Sequence, residues 1–163
     1  MLMAQATSTK ETSMMESSMH GIATASRSGA RVLVVEDDEE MRSLVAELLT
    51  EEGYRVTAEA DTLSGLIRLL AQGADVLVVD WKMPDLDGLE LLGTVRRCFP
   101  EVPVIFVSAF ATPELYYKAM HEGAFSFLAK PFRRDELLGE IEGALQFVAL
   151  RNEGKQTQDR RRS

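Results

Sequence analysis

Val76-Leu77-Val78-Val79-Asp80-Trp81-Lys82-Met83-Pro84-Asp85-Leu86-Asp87-Gly88 is the stretch from which the fold is read. Four consecutive apolar residues, three of them valine, predict a strand buried on both faces, hence a parallel sheet covered by helices. The run stops at Asp80. In open α/β sheets the reaction crevice lies outside the carboxyl ends of the strands, so a carboxylate at that end is placed for chemistry. Pro84 and Gly88 then turn the chain, and helical periodicity begins near Leu89. A lone strand-end aspartate would be read as a solvated turn residue. Asp80 is not alone.

Upstream, Arg31 to Val35 reads as a first buried strand ending in Glu36, Asp37 and Asp38. A helix follows, with Met41, Leu44, Val45, Leu48 and Leu49 at helical spacing, Asp37 or Asp38 as its cap and Gly53 at its end. Tyr54 to Ala58 reads as a more polar edge strand. Asp61 caps a second helix whose apolar face is expected to be Leu63, Leu66, Ile67 and Leu70, stopped by Gly73.

Downstream, a third helix from about Asp87 to Cys98 is expected to bury Leu89, Leu92 and Val95, and Pro100 ends it. Val102 to Val107 reads as the fourth strand. Thr112, Pro113 and Glu114 supply the cap, first-turn proline and first-turn acid of a fourth helix running to His121, with a thin apolar face of Leu115, Ala119 and Met120. Ala124 to Ala129 reads as a fifth strand. The last helix carries Leu137, Leu138, Ile141, Leu145 and Val148. Strand and helix alternate five times, which specifies a doubly wound five-stranded parallel sheet. Right-handed crossovers put every strand's carboxyl end on one rim.

Composition bounds the function. The 163 residues, 45% of them hydrophobic, suit one core, and a formal net charge of −8 argues against a direct electrostatic grip on nucleic acid. No run approaches the roughly 18 apolar residues of a membrane span, so no membrane partner is expected. The single cysteine, Cys98, offers neither a disulfide nor a thiol metal site, which fits a reducing cytoplasm; it is read as packing. Residues 1–30 read as a disordered leader, 31–151 as the domain, and 152–163 as a polar, basic, frayed tail.

The rim is where function is read. Strand one offers Glu36 and Asp37, strand three Asp80, strand four Ser108 and strand five Lys130. In the flavodoxin-like strand order 2-1-3-4-5 these groups converge. Crowded carboxylates repel one another, and oxygen ligands with one or two carboxylates suit Mg2+. Asp80 is then a nucleophile toward phosphorus that forms an acyl phosphate, with Lys130 and the Ser108 hydroxyl contacting the phosphoryl oxygens. Each residue alone has a bland reading, as a solvated turn lysine or a capping serine. Their joint occurrence at successive strand ends is the specific signal.

Val-Leu-Val-Val-Glu-Asp-Asp at 32–38, the Asp80 stretch, Val-Ser-Ala at 107–109 and Gly-Ala-Phe-Ser-Phe-Leu-Ala-Lys-Pro-Phe at 123–132 resemble the receiver domain of bacterial two-component response regulators. The resemblance covers Arg31 to Leu150. It implies that Asp80 accepts a phosphoryl group from a histidine kinase or a histidine phosphotransfer protein. It implies that Asp37, Asp80 and the Lys82 backbone carbonyl hold Mg2+ directly while Glu36 acts through water. It also implies that Ser108 and Phe127 form a switch: phosphate draws Ser108 inward, Phe127 follows, and the face made by helix four, strand five and helix five is remodelled for a downstream protein or a phosphorylation-dependent homodimer. Asp38 is read instead as a helix cap. Phe127 lacks the hydroxyl of the tyrosine frequent there.

Lys82 and Phe110 flank the site and are expected to slow the approach of water to the acyl phosphate. Trp81 is read as a surface-shielding aromatic. One of Tyr116 and Tyr117 is expected to be exposed, and Arg133 and Arg134 are read as solvated first-turn residues. Two other readings compete with a stand-alone receiver that is not a multiple-turnover enzyme. In one, the chain is the receiver of a larger regulator with an effector module, which no helix-turn-helix or catalytic motif after Leu150 supports. In the other, it is an aspartyl-phosphate phosphatase, which would want an acid where Lys82 stands.

Overall fold

The computed structural model describes residues 29–162, except for the side chains at 159, 161 and 162. The expected leader lies outside the described residues apart from Gly29 and Ala30. Five strands, β1 (Arg31–Val35), β2 (Arg55–Glu59), β3 (Val76–Asp80), β4 (Val104–Ser108) and β5 (Ser126–Ala129), form one parallel sheet in the order β2-β1-β3-β4-β5. Five helices alternate with them: α1 (Glu39–Glu51), α2 (Thr62–Gln72), α3 (Gly88–Cys98), α4 (Pro113–His121) and α5 (Arg134–Arg162). This is the flavodoxin-like architecture expected from the sequence. The central β3 and its neighbour β4 are buried along their whole lengths, because helices cover both faces of a parallel sheet.

Two apolar layers hold the sheet. One packs Val45 and Leu49 of α1 and Leu137, Leu138, Ile141 and Ala144 of α5 against Val32, Val34, Val76, Val78, Ile105 and Val107. The other packs Leu69 of α2, Leu91, Leu92 and Val95 of α3 and Ala119 of α4 against Leu33, Val35, Leu77, Val79, Phe106 and Phe127. Alternate strand residues serve alternate layers, as a pleated sheet requires. Asp38, Asp61, Asp87 and Thr112 cap α1 to α4, each side chain accepting from a first-turn amide.

The helical faces depart from expectation in three places. On α2 the buried residues are Thr62, Gly65 and Leu69, whereas Leu63, Ile67 and Leu70 point outward. Gly65 decides that phase: a Cβ built on it would lie 2.7 Å from Val35 Cγ2, so α2 approaches β1 with backbone rather than side chain. On α3, Leu91 joins Leu92 and Val95 in the core while Leu89 is only half-buried. Cys98 is exposed rather than packed.

Gly65→Ala is therefore expected to destabilise the fold by about 1–3 kcal/mol through overpacking against Val35, measured by urea unfolding, with Val35→Ala restoring part of the loss in the double variant. An unchanged midpoint for Gly65→Ala would contradict the close approach.

The expected frayed tail is helical. The helix α5 runs for 29 residues, about 43 Å at 1.5 Å per residue, continuing through Gly154 because Glu101 in the α3–β4 loop pairs with Arg151 (3.5 Å) and Lys155 (2.6 Å). At its start Arg134 bridges Glu51 and Glu52 at the end of α1, so it is a pairing residue rather than a freely solvated one.

Candidate functional site

The strand ends deliver their side chains to one rim. β1 hands over to Glu36 and Asp37, β3 ends in Asp80, β4 in Ser108, and β5 leads directly to Lys130. Strand pairing sets their spacing: Asp80 stands opposite Val107 and Ser108 opposite Ala129. The Trp81 amide donates to the Val107 carbonyl and the Lys130 amide to the Ser108 carbonyl, both at 2.8 Å. The peptide between Lys130 and Pro131 is cis.

At the centre the Lys130 ammonium donates to Glu36 Oε2 at 2.6 Å and to Asp80 Oδ2 at 3.2 Å. The Lys82 backbone amide donates to Asp80 Oδ1 at 3.1 Å. Glu36 and Asp80 are both buried, and Asp37 is exposed beside them. Burial pushes the Glu36 carboxyl above its ordinary value against the hydrogen bond from Lys130, and the charge of Asp80 adds to the rise. Burial works to lower the Lys130 amine, but its hydrogen bond to Glu36 and the charges of Asp80 and Glu36 outweigh burial and hold it above its ordinary value. One ammonium thus pairs with two carboxyl groups while Asp37, the third of the cluster, stands beside them, and the site is short of positive charge.

Carboxylate oxygens of Glu36, Asp37 and Asp80 all lie within 4.8 Å of one another. Carboxylates this close could share one ion, and the cluster is small enough for such a site. Its donors are all oxygen, and the donor chemistry suits a hard divalent ion with some coordination left to water.

Ser108 is fully buried, with its hydroxyl accepting from the Phe110 amide at 3.0 Å. That bond engages Oγ as an acceptor within its own loop. Phe127 is already buried, its ring 5.5 Å from Trp81 and 6.2 Å from Phe106. Trp81 is more than the surface shield read from sequence, because it stacks edge-on against Phe106 at 4.9 Å and lies over Gly88, where a Cβ would come within 2.9 Å of its ring. The Lys82 ammonium sits 4.6 Å from the centroid of Phe110, and the two side chains line an open cavity of about 520 Å³ with Trp81 and Leu115.

Asp38 accepts from the Met41 amide at 2.8 Å, the capping role read for it. Two supporting residues escaped the sequence reading. Arg42 donates to the backbone carbonyls of Glu36 (2.8 Å) and Asp37 (3.3 Å), which pins the acidic loop. Asp85 accepts from the Leu63 amide at 3.1 Å and so ties the loop after Asp80 to the start of α2. Neither carries a local signature, since an arginine one turn into a helix and a turn aspartate read as solvent-facing.

The family described as response regulator receiver domain matches residues 32–142. The chain belongs to this receiver family. Its curated relatives include the nitrogen assimilation regulatory protein NtrX of Azorhizobium caulinodans, 36% identical over 124 residues that make up 75% of this chain and 27% of that protein. The DNA-binding transcriptional regulator NtrC of Proteus hauseri is 38% identical over 114 residues, 70% of this chain and 24% of the relative. Among solved structures, a response regulator receiver domain protein from Clostridium thermocellum superposes with a TM-score of 0.70 at 28% identity, covering 74% of this chain and 98% of that one. The receiver thus spans about a quarter of the length of these two curated relatives and nearly all of that structural neighbour. No helix among the described residues is long and apolar enough to cross a membrane.

Proposed function

We propose that this receiver takes a phosphoryl group on Asp80 from a histidine kinase or histidine phosphotransfer protein, in a Mg2+-dependent reaction, and passes the signal through its α4-β5-α5 face to a downstream protein. The observation that carries the reading is the Lys130 ammonium seated between Glu36 and Asp80 with Asp37 alongside. In the reaction an Asp80 oxygen attacks phosphorus, the bond from phosphorus to the donor imidazole nitrogen breaks, and the imidazole leaves neutral after taking up a proton. Lys130 offers its ammonium to the phosphoryl oxygens, and the Ser108 hydroxyl donates to one of them. Asp37, Asp80 and the Lys82 carbonyl, with Glu36 acting through water, would hold the Mg2+, which would supply charge neutralisation at those oxygens.

As in the family's switch, movement of Ser108 toward the phosphoryl group is coupled to Phe127, whose ring is packed on Trp81 and Phe106. The phosphoryl group thereby biases one of two packings of β5 and α4. The helix α4 is suited to such a shift, since Ala119 is its only buried residue, and Tyr116 and Tyr117 are both exposed on it, ring edge to ring face at 5.9 Å. The expectation of one exposed tyrosine gives way to two, a paired aromatic contact for a partner.

Incubation with acetyl phosphate and Mg2+, read by intact mass, tests the proposal: one phosphoryl group per chain is expected, on Asp80, and none with chelator. Multiple turnover on small phosphate esters would instead indicate a phosphatase. The relatives' greater length favours a second reading of output, in which a module in the same polypeptide is controlled. Pull-down with and without beryllofluoride separates the two, since only the first reading expects a separate protein to be captured by the activated receiver alone.

The Lys82–Phe110 contact carries an expectation of its own. If these side chains screen the acyl phosphate, Lys82→Asn with Phe110→Glu shortens its lifetime about tenfold, equivalent to about 1.4 kcal/mol of barrier. An unaltered phosphate-release rate would remove the screening role.

A further inference from the structure

The outer face of α2 has no partner among the described residues. Leu63 is 64% exposed, Ile67 60% and Leu70 77%, and their spacing lines them up along about 10 Å of the helix. Singly exposed leucines are ordinary, but three on one stripe form a patch. Arg68 is drawn aside by its 2.8 Å bond to Glu59 and leaves the stripe uncovered.

The end of α2 below the stripe is contacted by the opening residue of β1. The Arg31 guanidinium donates to the Gln72 carbonyl at 2.7 Å, and the Asp75 amide donates to the Arg31 carbonyl at 2.8 Å. The described chain begins at Gly29, whose amide donates to the Gly53 carbonyl at 3.1 Å in the turn between α1 and β2, and Arg31, two residues on, reaches the end of α2 that carries Leu70. Within that upstream segment Met14, Met15, Met19 and Ile22 are its nearest large apolar residues, and Lys10 and Arg27 offset Glu11 and Glu16. The segment is electrically neutral before a chain of net charge −8 and is not repelled by it. Methionine fits irregular apolar surfaces. Ten residues separate Gly29 from Met19, an extended reach of about 33 Å, ample for a stripe of about 10 Å.

We propose that residues 14–22 dock on Leu63, Ile67 and Leu70 of the same molecule. The size of the patch argues for a tethered occupant. A freely diffusing partner needs about 800 Å² on its side of a stable interface, far more than three side chains offer. A segment joined to the chain ten residues away is held at millimolar effective concentration and is retained by much less. The same methionines, too few to form a core by themselves, borrow their apolar surroundings from α2.

The test uses the full chain with Cys98→Ser and a nitroxide on Ser18→Cys, observed by amide NMR with and without a reduced label. Signals of Leu63, Ile67 and Leu70 are expected to lose more than half their intensity at any protein concentration. Replacing Met14, Met15 and Met19 by serine, which leaves the folded body untouched, should restore them, as should Ile67→Ser with Leu70→Ser. Undiminished signals overturn the proposal. So does broadening that appears only when spin-labelled chains are mixed with separate isotope-labelled chains, because the occupant would then be a second copy. The readout needs no phosphoryl group and is independent of the reading of Asp80.

Discussion

Asp80→Asn is expected to abolish phosphoryl uptake from acetyl phosphate, at least hundredfold below the parent, while the chain stays folded. The amide keeps an oxygen for the Lys82 backbone amide, which donates at 3.1 Å in the parent, and Lys130 keeps Glu36 at 2.6 Å. What the substitution removes is the anionic oxygen that forms the new bond to phosphorus. Intact mass after incubation in Mg2+, with thermal unfolding recorded in parallel, checks both halves. Residual labelling at the parent level would move the acceptor elsewhere in the loop, to Asp85 or Asp87, and would end the assignment of Asp80.

Lys130→Ala should have the largest effect on stability. Its ammonium, mostly buried, is the cation serving Glu36 and Asp80. Removing one partner of a buried pair leaves an uncompensated charge, a cost of about 3–5 kcal/mol. We expect a loss near the lower end, about 3 kcal/mol, since the exposed neighbour Asp37 lets water reach the cluster. In chelator the full loss should appear in urea unfolding; millimolar Mg2+ should return part of it, because a cation held by the three acids takes over the charge of the missing amine. Equal unfolding curves for variant and parent in chelator would mean that the Lys130 pairing contributes little, and equal curves for the variant with and without Mg2+ would speak against a metal at the acids.

The sheet was readable because its strands are continuous apolar runs ending in polar residues, a pattern with few alternatives. The rim residues sit at strand ends, so Glu36, Asp37, Asp80, Ser108 and Lys130 could be singled out together with the strands that bear them. Helical phase was less readable. On α2 the core-facing positions are Thr62, Gly65 and Leu69, and a glycine and a threonine add nothing to an apolar stripe, so the more hydrophobic outer face of Leu63, Ile67 and Leu70 looked like the inner one. The tail was missed for a related reason. Ion pairs from Glu101 to Arg151 and Lys155 are long-range, and nothing near Gly154 announces them. Trp81 was misjudged because its partners Phe106 and Phe127 come from two other strands.

Every group on the rim is delivered by a strand terminus, and the spacing of the termini is fixed by the backbone ladder of the sheet rather than by any helix surface. In the proposed function, reactivity and recognition are thereby built from separate parts of one molecule. On that reading the outward face of α4 can be redrawn, or transplanted from a sibling protein, without relocating a single reactive atom. A scaffold of this kind lets many signalling lines diverge in whom they address while all share one chemistry.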